Sequence, residues 1–327
     1  MLDRRTALAL TISSLLAPLS KTSFAQGADK YPARLVTLVH QYTAGGTTDL
    51  VARLIGEGLQ KKWGQPFIVN GLSGGGGIVG GAHVANAKPD GYTLLLTISV
   101  MSILPAMNKK LPFDVERSFA PVAKIASLPF VIITSKASGI TSLEQLIARA
   151  KENPDKITCG SVGIGSPHHL AIELFNQTAG ITLRHVPYKG AAGVITDLLG
   201  GFIDMTFIGI PGVAGLIDSG SVTPIALTGS ERSPMLPKTP TVVESGYPHY
   251  TQETWYGLVA PAGTPGDVID KLYRGITEVL ELPENQKRMD EIGLKIAIEP
   301  PAIFGKRLHD EIVSWRKLVT DRQLELN

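Results

Sequence analysis

Cysteine is nearly missing: Cys159 is the only one in 327 residues. A single thiol cannot close an internal disulfide or build a four-cysteine metal site. An excess of charge of one sign is missing as well. The chain carries 31 basic and 29 acidic residues, and no basic stripe suggests nucleic acid or a membrane surface as partner. Histidines number seven, and none has an obvious orienting context in the sequence. No run is long enough for a membrane span, which takes about 20 apolar residues. Internal repeats are lacking, and the only low-complexity segment is Gly74 to Gly77.

Glycine and proline, by contrast, are plentiful, at 35 and 22 residues. They are spread among apolar segments, which fits a loop-rich α/β protein better than a disordered one. The first 25 residues have the layout of a secretory leader. Asp3-Arg4-Arg5 is a charged start, Thr6 to Leu19 an apolar stretch, and Ser23-Phe24-Ala25 a small-x-small cleavage signal before Gln26. Arg4-Arg5 also fits twin-arginine export. Losing Arg4, Arg5, Lys21 and Asp3 with that leader leaves 28 charges of each sign. No cysteine stands near the cleavage signal to take a lipid anchor. A freely diffusing exported protein is expected, and its place is the periplasm.

Strand and helix alternate along the mature chain, which implies parallel sheets with right-handed crossovers. Strands are expected at 34–39, 67–69, 92–97, 157–160, 183–186 and 205–208, with extended pieces at 122–126 and 130–134. Leu50, Val51, Leu54, Ile55 and Leu59 keep the helical period behind Thr48, the expected cap. Ser142 caps a second helix running to Glu152. A third helix opens near His168, and the tail from Pro265 is mainly helical. The expected division is one lobe at 26–125 plus 246–327 and another at 126–245, with two crossings.

One device recurs: a strand, a glycine-rich turn, then a helix start. It occurs at Tyr42-Thr43-Ala44-Gly45-Gly46-Thr47-Thr48-Asp49, at Asn70 to Gly77, and at Gly160 to His168. Helix N-termini expose N–H groups without intrahelical partners, and the helix dipole favours negative charge there. Glycines let an anion approach that backbone. The first and third turns fall in different expected lobes, so a dianion could bridge them.

Other chemistries fit less well. Gly75-x-Gly77-x-x-Gly80 matches a dinucleotide fingerprint, but no acidic residue follows about 20 positions on. Gly71-x-Ser73-x-Gly75 matches a nucleophile elbow and makes Ser73 the alternative, a serine hydrolase with Asp204 and His249. Four consecutive glycines work against the rigid elbow that such a serine needs. His169 and Glu173 lie one helical turn apart beside His168, which is too few ligands for a metal. No cofactor is called for.

At these residues the chain resembles the Bug (TctC-type) family, the extracytoplasmic receptors of tripartite tricarboxylate transporters. The likeness covers essentially the whole mature chain. Its landmarks are Gly45-Gly46-Thr47-Thr48-Asp49, Lys88-Pro89-Asp90-Gly91-Tyr92-Thr93-Leu94-Leu95, Lys110-Leu111-Pro112-Phe113-Asp114 and Ser118-Phe119-Ala120-Pro121-Val122. Further on come His185-Val186-Pro187-Tyr188-Lys189-Gly190, Asp197-Leu198-Leu199-Gly200-Gly201 and Trp255 to Pro265. The resemblance implies an α/β, two-lobed, type II periplasmic-binding-protein-like fold. Each lobe is a mostly parallel sheet flanked by helices, with a cleft between the lobes. It also implies a non-enzymatic receptor that closes on a small carboxylate and serves the membrane subunits of a transporter; since closing around a ligand works well in a single chain, a monomer is expected.

Carried over residue by residue, the expected ligand contacts are Thr43, Ala44, Gly45, Gly46, Thr47 and Asp49 from one lobe. The other lobe offers Ser161, Gly163, Gly165, Ser166 and His168. Asp49 is expected to brace its loop rather than touch the anion. Ile208 stands where family members often carry an acid, and 97–102 is more apolar than usual. Both departures suggest an apolar, even aromatic, carboxylate, flanked by Tyr42, Tyr188 or Phe207.

Overall fold

The computed structural model describes residues 31–42 and 44–324. The expected leader and Thr43 lie outside the described residues. The chain opens with β1 (Val36–His40), α1 (Thr47–Trp63), β2 (Phe67–Gly71), α2 (Ile78–Ala85), β3 (Thr93–Ile98), α3 (Val100–Met107) and the short α4 (Val115–Ser118). β4 (Phe119–Ser135) then leads into α5 (Leu143–Glu152), β5 (Thr158–Ser161), α6 (Pro167–Ala179), β6 (Arg184–Pro187) and α7 (Ala191–Leu199). β7 (Met205–Gly209), α8 (Ala214–Asp218) and β8 (Val222–Leu227) follow. β9 (Glu253–Pro261), α9 (Gly266–Glu281), α10 (Pro283–Glu291), β10 (Lys295–Glu299) and α11 (Pro301–Asp321) complete the described fold.

Two antiparallel strands join the lobes. β4 pairs with β9 over Phe119–Pro129, then with β7 and β8 over Phe130–Ser135. The sheet order is β2-β1-β3-β9-β4-β7-β5-β6, with β8 and β10 also on β4. Directions follow from the pairings. β1 is parallel to β3, β3 antiparallel to β9, and β9 antiparallel to β4. The C-terminal end of β1 therefore points the way β4 travels, toward the second lobe. β7 is antiparallel to β4 and β5 parallel to β7, so β5 ends pointing back at the first lobe. The turns after β1 and β5 thus leave strand ends that aim at the opposite lobe.

Each lobe buries its own apolar clusters. Val36, Leu54, Ile55, Leu94, Leu258 and Leu272 pack in one cluster, and Val39, Leu95, Val259 and Phe304 in a second, on the first lobe. Phe130, Ile172, Phe175, Phe207 and Tyr250 form the main core of the second. Core membership changes between Leu128 and Phe130, and again between Tyr250 and Trp255.

Several local expectations need correction. The two extended pieces at 122–126 and 130–134 are one strand, β4, which tolerates Pro121 beside a register shift. The N-cap of α1 is Gly46 rather than Thr48, which is buried in the first turn. Pro265 precedes α9 instead of opening it. The pairing is parallel within each lobe but antiparallel at β4 and β9, because those strands carry the chain out and back. Ser142 caps α5 as expected, its hydroxyl accepting from the Gln145 N–H.

Candidate ligand-binding site

The first turn is held from below by a carboxylate. Asp49 is 3% exposed, and its oxygens accept from the Gly45 N–H at 3.1 Å and from Arg53 Nε at 2.9 Å. His40 Nε2 lies 3.1 Å from the same group. The hydrogen bond from Arg53, foremost, holds the Asp49 carboxyl below its ordinary range, reinforced by those from Gly45 and His40. Asp49 is therefore spent on the loop, as the sequence suggested. Gly45 has φ of 86°, a left-handed value that favours glycine.

Above that brace the turn is open. Gly46 caps α1 without a side chain, so among the described residues no N-cap side chain takes the first helical N–H groups. Ala44, Gly45 and Gly46 are exposed and Thr47 is partly so. Thr47 shares a hydrogen bond with Tyr256, whose phenol burial pushes up to about 12. Burial also drives Tyr42 well above the phenol range, with Tyr256 adding to the shift. Both hydroxyls stay neutral near neutral pH.

Gln41 ties the second turn to the first. Its Nε2 donates to the Gly77 carbonyl at 2.8 Å, and its Oε1 accepts from Thr97 at 2.5 Å. A side chain at Gly77 would come within 3.0 Å of Gln41. Packing therefore accounts for the glycines that mimic a nucleotide fingerprint. Ser73 is exposed in this turn, and Gly74 to Gly77 all have positive φ. Ser73, Asp204 and His249 are not assembled into a triad. Asp204 accepts instead from the Thr158 N–H and hydroxyl, at 2.8 and 2.7 Å.

The third turn spends most of its donors on itself. Ser161 is fully buried, with Oγ 2.6 Å from His185 Nε2. The Gly163 N–H reaches Ser161 Oγ at 3.2 Å, and the Gly165 N–H reaches His169 Nδ1 at 3.2 Å. Ser166 caps α6, accepting from the His169 N–H and donating to the Gly163 carbonyl. His169 stacks on His185 with centroids 4.1 Å apart. Of the five residues expected to contact a ligand here, four are thus engaged within the turn. The fifth differs. His168 lies against Phe130, and its Nδ1 is buried without a hydrogen-bond partner among the described residues.

Burial lowers all three histidines to about 4, with His169 adding to the shift of His185. They are neutral at pH 7, so this turn carries no cation. One aromatic expectation fails. Phe207 is 0% exposed and packs on Phe175 in the second-lobe core. Tyr188 donates its hydroxyl to Asp197 at 2.6 Å, and its partly exposed ring lies against Gly193 and against Gly160 of the third turn. Ile208 is buried among Val131, Ile133 and Ile210. His169 and Glu173 are committed elsewhere, and no group of three metal-binding side chains occurs among the described residues. A cavity of about 530 Å³ is lined by Pro105, Phe113, Ile312 and Arg316, among others, and by no residue of the three turns.

The family profile described as tripartite tricarboxylate transporter family receptor, TctC, matches residues 51–324. The chain belongs to this receptor family. It is 33% identical to Protein BugT of Bordetella pertussis over 301 residues, covering 91% of this chain and 92% of that one. Among solved structures, R. palustris Rpa4515 with adipate superposes with a TM-score of 0.78 at 31% identity, covering 91% of this chain and all of the other. MatC from Rhodopseudomonas palustris with bound malate gives 0.73 at 28% identity, over 88% of this chain and all of that one. The two-lobed receptor fold and the extracytoplasmic receptor class follow. Among the described residues no helix is long and apolar enough to cross a membrane.

The bracing residues His40, Gln41, Arg53, His169 and His185 were not picked out as a group by sequence. Arg53 had a signal, because it stands four residues after Asp49 on a helix, the spacing of a paired acid and base. His185 had none: it reaches Ser161 only because β5 and β6 pair in register.

Proposed function

We propose that the chain is a periplasmic receptor that takes a small carboxylate between its lobes. It then presents the carboxylate to the membrane subunits of a tripartite tricarboxylate-type transporter and does no chemistry on it. The observation that carries this reading is the uncapped start of α1 at Gly46. Its first N–H groups, without a side-chain cap among the described residues, sit in an exposed turn aimed at the second lobe. A carboxylate there would take the place of the missing cap. His168, with its unpartnered Nδ1, is the group on the second lobe best placed to answer. Relatives solved with adipate and with malate support the ligand class.

One of the three rings expected to flank an aromatic body, Phe207, is buried in the second-lobe core. The ligand is therefore taken as a small carboxylate, with Tyr42 beside the first turn and Tyr188 beside the third. The lobes are taken as roughly 26–125 plus 246–327 and 126–245, and the receptor as a monomer cleaved before Gln26. Closure follows if a ligand touching both lobes favours the closed state. Calorimetry with adipate, malate, citrate, glutamate and benzoate, paired with small-angle scattering, tests the reading. One or more aliphatic carboxylates should bind and shrink the particle. A panel without heat, or Ser73-dependent ester hydrolysis, would sink it.

A further inference from the structure

α6 is gripped from both sides. Ala171, Ile172, Phe175 and Ala179 face the second-lobe core. Leu170, Leu174 and Gln177 lie on the opposite side of the helix, which would meet water in an isolated lobe. Yet Leu170 is 0% exposed. What covers it comes from the first lobe: Ile103 and Met107 of α3, and Trp315, Leu318 and Val319 of α11, in one apolar cluster. Beside it Arg322 Nε donates to the buried carboxylate of Glu173 at 2.9 Å, and Gln177 Nε2 to Asp321 at 3.2 Å. α11 itself is rooted in the first lobe through Phe304, Leu308 and Ile312.

We infer that the contact of α11 and α3 with α6 is a pivot, kept whether the lobes are open or closed, about which the second lobe turns. The inference rests on the two-lobed receptor reading and adds the place of the axis. A receptor cycles because its open and closed states differ little in free energy. Exposing a whole apolar cluster and stripping Glu173 of its guanidinium at each opening would make that difference large. The exposed Lys295–Glu231 ion pair, by contrast, joins β10 to the loop after β8 and costs little to break. Since α6 begins at the third turn, its His168 end stays close to the axis. The first turn supplies most of the travel.

An engineered disulfide tests this without any ligand. Gln177→Cys with Asp321→Cys is made in the mature chain, whose own Cys159 is fully buried. Scattering of the ligand-free protein is then compared before and after oxidation. A pivot predicts the same radius of gyration in both. A smaller one on oxidation would show that the contact forms only on closing, and would overturn the inference. Should the disulfide not form, ligand-free Glu173→Gln is used. A pivot predicts a lower unfolding temperature with unchanged scattering, and an expanded particle would contradict it. Neither arm needs a bound carboxylate, so failure of the ligand panel and failure of the pivot are read separately.

Discussion

The first and third turns have one design in sequence and opposite states in structure. The first is braced by a charged group beneath it and left uncapped above, so its helix N–H groups remain to be used. The third is braced by neutral histidines and capped by Ser166, so its donors are largely consumed. Glycine-rich turns before helices are therefore not equivalent anion sites. What decides is whether the N-cap residue has a side-chain oxygen. Gly46 has none and Ser166 has one.

Removing the brace should have the largest effect. Asp49→Ala leaves His40, Arg53 and the Gly45 N–H without their acceptor. Because the buried His40 and the Gly45 N–H lose their acceptor, the change should cost about 1–3 kcal/mol of stability, measured by denaturant unfolding, and abolish carboxylate binding. Gly46→Asp separates two quantities that usually move together. Gly46 has φ of −81°, which any residue accepts. A carboxylate there would cap α1 and add about 0.5–1 kcal/mol. It would also occupy the donors and weaken carboxylate affinity by roughly tenfold or more, about 1.4 kcal/mol. Gains in both stability and affinity would mean that the turn is not the site. Ser166→Ala, the matching change in the other lobe, should cost about 1 kcal/mol with a smaller loss of affinity.

The remaining expected effect concerns pH. His169 and His185 are held near 4 in the fold, below their ordinary value of 6.5. The unfolded chain therefore takes up protons first as pH falls. Their contribution is full above about 6.5 and is lost progressively down to about 4. The unfolding temperature should drop through that window, and His169→Gln should flatten the drop. An unchanged slope would show that these rings are not the neutral brace described.

The sequence made the three turns, the bracing role of Asp49 and the alternation of strand and helix legible, because those depend on local spacing. Ser142 shows the local rule working, since a hydroxyl before an apolar period is enough to place a cap. The state of the third turn was hidden. His185 comes from a neighbouring strand, and nothing near Ser161 in sequence announces it. The place of Phe207 was hidden for the same reason: a ring after a strand can face a cleft or a core, and only pairing and packing decide. β9 escaped notice because its pattern of nearly continuous buried residues is not the alternation of a half-exposed strand.

The most direct measurement is a titration of the 15N-labelled mature protein with adipate or malate, following backbone amides by nuclear magnetic resonance. The account predicts that Gly46, Thr47 and Thr48 shift most, together with His168 across the cleft, while Gly163 and Gly165 move less. Shifts confined to the second lobe, or to the cavity lined by Pro105 and Arg316, would contradict it.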